Sequence, residues 1–446
     1  MEIQNTTDRK HIAEQIFLAA VDSVLPDKLI SGSTFIDADT LYIDNLSFSL
    51  QQIENIWVIG AGKASAIMAL EMERILGDRI SGGHIVVKYG HSANLKRIKI
   101  TEAGHPVPDH NSFQASASLL DIARKTGESD LVICLLSGGG SALLSDAPEG
   151  LLPDDITLTT DLLVKCGATI SETNAVRKHL SDIKGGRLAR AVYPARLVSL
   201  ILSDVIGDPL DVIASGPTSP DTTTYVDAIE TIDRYEIREL LPERVINYLY
   251  EGAMCKKPES PKEGDAIFDK VSNIIIGNNR IALENARLKA IEFNINAIIV
   301  EDKMQGDVVS VSEYLIEMAE KFRNDEFETK PVCLLFGGET TAKVIGTGKG
   351  GRNQHLALLC AKALAGRKKT TILCAGTDGT DGPTKATGAV VDTETIQTAL
   401  SNGLDYKVYL SEFDSYNFFN RSSGHIVTGP TLTNVMDITI IIVDSN

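Results

Sequence analysis

The stretch Leu131-Val-Ile-Cys-Leu-Leu-Ser-Gly-Gly-Gly-Ser-Ala-Leu-Leu144 decides the fold. Six apolar residues stop at three glycines set between Ser137 and Ser141, and a helical pattern resumes at once. A continuous apolar run is expected of a strand covered on both faces. A strand that ends in a glycine turn at a helix start offers backbone N–H groups to an anion, above all a phosphate. Gly138, Gly139 and Gly140 with the two serines are therefore candidate phosphate or substrate contacts. Ile56-Trp-Val-Ile-Gly-Ala-Gly-Lys-Ala-Ser65 repeats the design, with Lys63 in the turn. Two such strand ends in one half of a chain point toward phosphoryl chemistry.

Outward from these two runs, short apolar stretches alternate with helical patterns. Strands are expected at 56–60, 83–87, 131–136, 197–202, 273–276, 296–300, 332–336, 371–375 and 438–443. The runs are continuous rather than alternating, as expected of parallel strands, and a helix follows the Asp109 cap region with Phe113, Ala117, Leu119, Leu120 and Ile122 on one face. The class is α/β with three layers. At 446 residues the chain exceeds one core. The exposed-looking stretch Cys255–Asp265, with two prolines and no apolar period, divides it into domains at 1–254 and 266–446.

A net charge of −17 excludes a nucleic-acid binder, which needs a basic face. A nucleotide ligand stays open, since a few cations and a magnesium ion can hold ATP on an acidic protein. The six cysteines form no C-x-x-C pair and read as free thiols of a reducing, cytoplasmic compartment. No apolar run approaches the ~20 residues of a membrane span. The N-terminus reads as an amphipathic helix rather than a signal peptide.

Further strand ends carry chemistry. Leu200-Ile-Leu-Ser-Asp-Val-Ile-Gly-Asp208 places Asp204 and Asp208 where Mg²⁺ could share a phosphate's oxygens. Gly337-Gly-Glu-Thr-Thr341 adds Glu339, and Cys374-Ala-Gly-Thr-Asp-Gly-Thr-Asp-Gly-Pro383 adds Asp378 and Asp381. Plain Asx turns are the competing reading of those two aspartates. Gly346-Thr-Gly-Lys-Gly-Gly351 fits G-x-G-x-x-G, yet the next strand has no ribose-binding acid before Asp378. That loop runs instead into Arg352-Asn-Gln-His355, where a guanidinium at a helix start suits a carboxylate or phosphate. His105 lies in Gly104-His-Pro-Val-Pro-Asp109. P-loop, zinc and serine-hydrolase spacings are absent.

In order, Gly-Ala-Gly-Lys63, Gly-His-Pro-Val-Pro-Asp109, Ser-Gly-Gly-Gly-Ser141, Asn174-Ala-Val-Arg-Lys178, Lys184-Gly-Gly-Arg-Leu-Ala189, Ser203-Asp-Val-Ile-Gly-Asp208, Ala214-Ser-Gly-Pro-Thr218, Gly-Gly-Glu-Thr-Thr341, Gly-Lys-Gly-Gly-Arg-Asn-Gln354, Gly-Thr-Asp-Gly-Thr-Asp-Gly-Pro383 and Thr428-Gly-Pro-Thr431 resemble the glycerate 2-kinases of the MOFRL type. Some members of that group carry the name hydroxypyruvate reductase. The resemblance spans residue 10 to the C-terminus. It implies a Rossmann-like first domain, a MOFRL-type second domain, a cleft between them, and ATP- and Mg²⁺-dependent phosphorylation of D-glycerate to 2-phosphoglycerate. It implies Lys63 and Arg352 as active-site cations. Two positions depart from the pattern: His355 stands where the family has glutamate, and Leu432 where it has glycine.

The expected mechanism gives catalysis to Lys63, Arg352 and Asp204, and metal to Asp204 and Asp208. Ser137, Gly138, Gly139, Gly140, Ser141, Asn174, Lys178 and His105 would receive substrate or phosphate. Glu339, Lys349, Asn353, Asp378 and Asp381 would hold the nucleotide, with the last two aspartates also candidate bases. The partners would be small molecules only, the protein a monomer or homodimer. An NAD(P)H-dependent hydroxypyruvate reductase is the alternative, and a non-catalytic nucleotide sensor a third class.

Overall fold

The computed structural model describes residues 3–324 and 331–444. The chain forms two compact units, one of residues Pro26–Ile276 and one of Met1–Leu25 together with Gly277–Asn446. The break therefore falls beyond the 255–265 stretch expected to be the linker. That stretch is tied into the first unit: Glu259 Oε1 lies 2.8 Å from His179 Nε2, and the Ser260 hydroxyl donates to Asp221 at 2.8 Å.

Strands β1 (Thr34–Asp37), β2 (Thr40–Ile43) and β3 (Leu46–Ser49) form a small antiparallel sheet of four-residue strands that the apolar-run reading passed over. The main sheet of the first unit holds β4 (Ile56–Ala61), β5 (Ile80–Lys88), β6 (Lys99–Ala103), β7 (Leu131–Leu136), β8 (Arg196–Leu202) and β9 (Val271–Gly277). Its spatial order is β6-β5-β4-β7-β8-β9, and the pairs from β6 to β8 are parallel. Counted from β4 this is 3-2-1-4-5-6, the doubly wound order, whose ligand crevice opens where the order reverses. The reversal lies between β4 and β7. Those are the two strands that end in the Lys63 turn and the triple-glycine turn, so topology alone brings the two motifs side by side. Every residue of β7 is buried, as a strand covered on both faces requires.

The helix expected after Asp109 spans His110–Ala123, and the Asp109 carboxylate accepts from the Ser112 N–H at 3.1 Å. Ala115, Leu119 and Leu120 of this helix pack with Ile59, Val132 and Cys134 of the sheet.

The second unit contains β10 (Asn296–Asp307), β11 (Val332–Thr341), β12 (Thr370–Gly376), β13 (Gly388–Asp392), β14 (His425–Ile426) and β15 (Asp437–Val443), in the order β10-β11-β15-β12-β13-β14. Only β10 and β11 pair in parallel; the pairs from β11 to β14 are antiparallel. The expected all-parallel arrangement thus fails in this unit. Continuous apolar runs report coverage of both faces, not strand direction, and β12, β13 and β15 are buried throughout. Val332, Leu334 and Phe336 pack on helices Val308–Asn324 and Arg352–Leu364, while Gly337 abuts Leu283 of helix Asn279–Glu292. Helix Ile3–Ser23 joins this unit through Arg9 to Asp444 at 2.8 Å and Lys10 to Asp392 at 3.0 Å.

The six cysteines are free. Among the described residues no helix is long and apolar enough to cross a membrane.

Candidate active site

In the first unit the β4 and β7 turns are stitched together by their own backbone. The Ser137 N–H donates to the Ala61 carbonyl at 3.1 Å, and the Lys63 N–H to the Gly138 carbonyl at 2.9 Å. The Ser137 hydroxyl accepts from the Ala64 N–H at 3.0 Å and lies 3.1 Å from the Ser65 hydroxyl. It is therefore part of the stitching rather than a group turned to a ligand. Gly139 adopts φ +88°, a region closed to most side chains. A methyl carbon built there would stand 2.9 Å from the His105 ring and 3.6 Å from Lys63 Cγ. One built on Gly138 would stand 1.9 Å from Asp204 Oδ2. Lys63, His105, Asp204 and the glycine turn thus share one strand-end cluster.

Burial, then the Lys63 and Lys88 charges, push the His105 pKa down to about 4, so its ring is neutral at pH 7. Gly140 abuts Ala214, and the Ser141 and Ser215 hydroxyls lie 2.9 Å apart. Ser215 in turn donates to Asn174 Oδ1 at 3.1 Å. Ala214, Ser215 and Gly216 all carry positive φ, a strained run held against the turn. Asp208 also has φ +56°, with its N–H donating to the Val205 carbonyl at 3.0 Å.

Lys178 does not reach this cluster. Its side chain is 2% exposed and pairs with Asp221 at 3.2 Å and Asp211 at 3.4 Å, an internal ion pair. The residue before it was missed: Arg177 Nη2 donates to the Ser141 carbonyl at 2.8 Å. Arg177 is three residues and Lys178 four residues beyond Asn174, so spacing admits either beside it; packing turns Arg177 to Ser141 and Lys178 to Asp221. Behind the turn, Lys184 donates to the Leu144 carbonyl, and burial, then Arg177, lower its pKa to about 7.

In the second unit, Arg352 opens the helix Arg352–Leu364. Its Nε donates to Asp437 Oδ2 at 2.6 Å, Nη2 to Asp437 Oδ1 at 3.0 Å and Nη1 to Glu339 Oε1 at 2.6 Å. Burial resists its charge, but the two carboxylates outweigh burial and push its pKa up. Asp437 was not found by sequence reasoning. It sits at the start of β15, in register with Gly338 of β11 and Gly376 of β12. Its burial raises its pKa to about 6 in spite of Arg352.

Around this pair the other candidates take supporting positions. Asp381 is 3% exposed and accepts from the N–H groups of Asn353 at 3.1 Å and Gln354 at 2.9 Å, capping the helix from another loop. Asn353 is buried beside it. Asp378 accepts from the Thr380 N–H at 3.0 Å, an Asx turn. Lys349 lies over the Tyr416 ring at 4.8 Å. His355 stacks on Phe413 at 4.2 Å, and burial pushes its pKa down to about 4.

The glycine loop 346–351 does not open a dinucleotide unit. The helix after it leads to β12, which is separated from β11 by the antiparallel β15. A dinucleotide fingerprint joins adjacent parallel strands.

A doubly wound unit with a lysine at its switch point, and a mixed sheet with an arginine at its strand ends, define an α/β enzyme of the phosphotransferase kind. Comparison with known proteins agrees. The profile of a domain of unknown function (DUF4147) matches residues 12–250, and that of the MOFRL family residues 332–437. The chain is 39% identical to a D-glycerate 2-kinase of Thermotoga maritima over 97% of both chains, and 38% identical to a glycerate 2-kinase of Pyrococcus horikoshii over 98% of both. A crystal structure of glycerate kinase from Thermotoga maritima superposes with a TM-score of 0.87 at 37% identity, covering 98% of this chain and 100% of that one. The chain belongs to the MOFRL-type glycerate kinase family.

Proposed function

We propose that this protein transfers the γ-phosphoryl group of ATP to the 2-hydroxyl of D-glycerate, with Mg²⁺. The observation that carries the reading is the placement of Lys63, His105 and Asp204 around one glycine turn at the switch point of a doubly wound sheet. The near-full-length relatives named glycerate 2-kinase supply the substrate.

Phosphoryl transfer passes through a loose transition state, so the protein's task is to position groups and neutralise charge. Lys63 supplies a cation at the turn. His105, neutral at pH 7, can accept or donate a hydrogen bond to the acceptor's hydroxyl without adding charge. Arg352 is held by Asp437 on one edge while its third nitrogen rests on the half-exposed Glu339, a partner that an incoming phosphate or carboxylate can replace. Asp381, Asn353 and Asp437 keep that arginine in place.

Among the described residues no group of three or more His, Cys, Asp or Glu side chains stands ready for a metal. Mg²⁺ needs only one or two carboxylates when phosphates and water complete its shell, and the hard oxygens of Asp204 at the turn, with Asp208, fit that habit. When bound there, the ion would neutralise phosphate charge.

The test incubates the protein with ATP, Mg²⁺ and D-glycerate, then adds enolase without a mutase. Phosphoenolpyruvate is expected, since enolase accepts only the 2-phosphate. Turnover of ATP without phosphoenolpyruvate overturns the position of transfer; no glycerate-dependent turnover overturns the kinase.

A further inference from the structure

Helix Ile170–His179 carries Asn174, Arg177 and Lys178, and the three side chains meet different fates. Asn174 is bonded to Ser215, and Lys178 is sealed against Asp221. Arg177 is half-buried and, among the described residues, donates one hydrogen bond, to the neutral carbonyl of Ser141. Among the described residues it enters no ion pair, and its remaining nitrogens are not among the buried atoms that lack a partner. They face space open to solvent.

The charge around Arg177 is unbalanced. Its pKa falls to about 10 through burial alone, with no carboxylate to hold it up. The charged neighbour that feels it most is Lys184, itself a cation, whose own compensating carboxylate is Asp146. Taking a guanidinium partly out of water without a counter-ion is unfavourable, and proteins rarely keep such a group without an anion to meet it. A guanidinium has five N–H donors, and one suffices for a carbonyl. The carbonyl in question belongs to the glycine turn that also touches Lys63, His105 and Asp204.

We propose that Arg177 binds an oxyanion of a substrate at the Gly138–Ser141 turn. Its bond to Ser141 fixes the guanidinium plane, leaving its free donors to take two oxygens of one carboxylate or phosphate. The identity of that oxyanion, acceptor carboxylate or nucleotide phosphate, rests on the kinase reading; the existence of an anion site does not.

The experiment uses the full-length protein and its Arg177→Met and Arg177→Lys variants, with circular dichroism and melting to establish the fold. Glycerate and ATP are varied separately. Arg177→Met is expected to raise the KM of one anionic substrate by ~30-fold while the other moves less than ~3-fold. Arg177→Lys, which keeps the charge but not the fork, is expected to recover part of the loss. A rise for glycerate assigns the carboxylate, and a rise for ATP the phosphate.

Folded variants with both KM values unchanged overturn the proposal, as does a fall in kcat alone accompanied by a lower melting temperature. Should Arg177→Met not fold, the same measurements on Arg177→Lys decide. If the wild-type protein does not turn over glycerate, calorimetric binding of ADP and of inorganic phosphate still tests the site. Weaker binding by the variant supports it, and equal binding overturns it.

Discussion

Asp437 holds Arg352 by two bonds, Nε to Oδ2 at 2.6 Å and Nη2 to Oδ1 at 3.0 Å, from the first position of a central strand. The pair is bidentate and its carboxylate is buried, so the guanidinium plane is fixed before any ligand arrives. Asp437→Asn would leave one acceptor and lose the charge. The expected result is a fall in kcat/KM of ~30-fold or more, with a smaller change in melting temperature.

That relationship has a pH consequence. The folded-state pKa of Asp437, about 6, lies above its ordinary 3.8 because burial disfavours the charge, against the pull of Arg352 and Asn353 and with Asp381 nearby. A raised carboxylate favours the folded state below its unfolded pKa, and this contribution is lost as pH rises through 6. Activity runs the other way, since the ionised form grips Arg352. A kcat/KM profile from pH 5 to 8 is expected to show an acid limb near 6 that vanishes in Asp437→Asn. An identical limb in both proteins removes Asp437 from the effect.

Glu339 is the weaker partner of the same arginine, with a side chain 45% exposed. An exposed ion pair is worth about 0.2–1 kcal/mol, so its loss should aid a competing anion only modestly. Glu339→Gln is expected to lower the KM of the anionic substrate that meets Arg352 by ~2- to 5-fold. A KM that rises instead makes Glu339 a ligand contact rather than a competitor.

Lys63→Ala and Arg352→Ala are each expected to lose at least ~100-fold in kcat/KM, about 2.7 kcal/mol of transition-state binding. Near-wild-type rates in both folded variants would take these cations out of the chemistry.

Leu432 adopts φ +63° with its side chain 44% exposed. A left-handed conformation costs a leucine about 1–2 kcal/mol, and glycine almost none. Leu432→Gly is expected to stabilise the fold by up to ~1 kcal/mol, after the entropy lost by a freer unfolded chain. Chemical denaturation measures it; a lower midpoint would show that the leucine makes a compensating contact.

Much of this was legible from residues alone. The run 131–136 and the Lys63 turn each read as an anion site from their residues, and the strand order is what makes them neighbours. Arg177 was not separable from Lys178, because a one-residue shift turns a helical side chain by about 100° and the phase of a ten-residue helix is set by tertiary packing. Asp437 looks like any aspartate before a strand; its meaning comes from Arg352, which reaches it from a distant helix start. Asp381 was read as a ligand or base, and its distant capping of another element's start could not be seen from local spacing. Strand direction in the second unit was hidden for the reason given above: an apolar run carries no arrow.

The opening helix shares a unit with the chain's last strands. Its face of Ala13, Ile16, Phe17 and Ala20 is fully sheltered once folding is complete. During synthesis that greasy stripe leaves the ribosome ahead of residues 26–276, whereas the sheet it belongs with emerges only after them. The nascent polypeptide therefore carries an unmatched adhesive surface while those intervening residues are made, an interval open to aggregation and to chaperones.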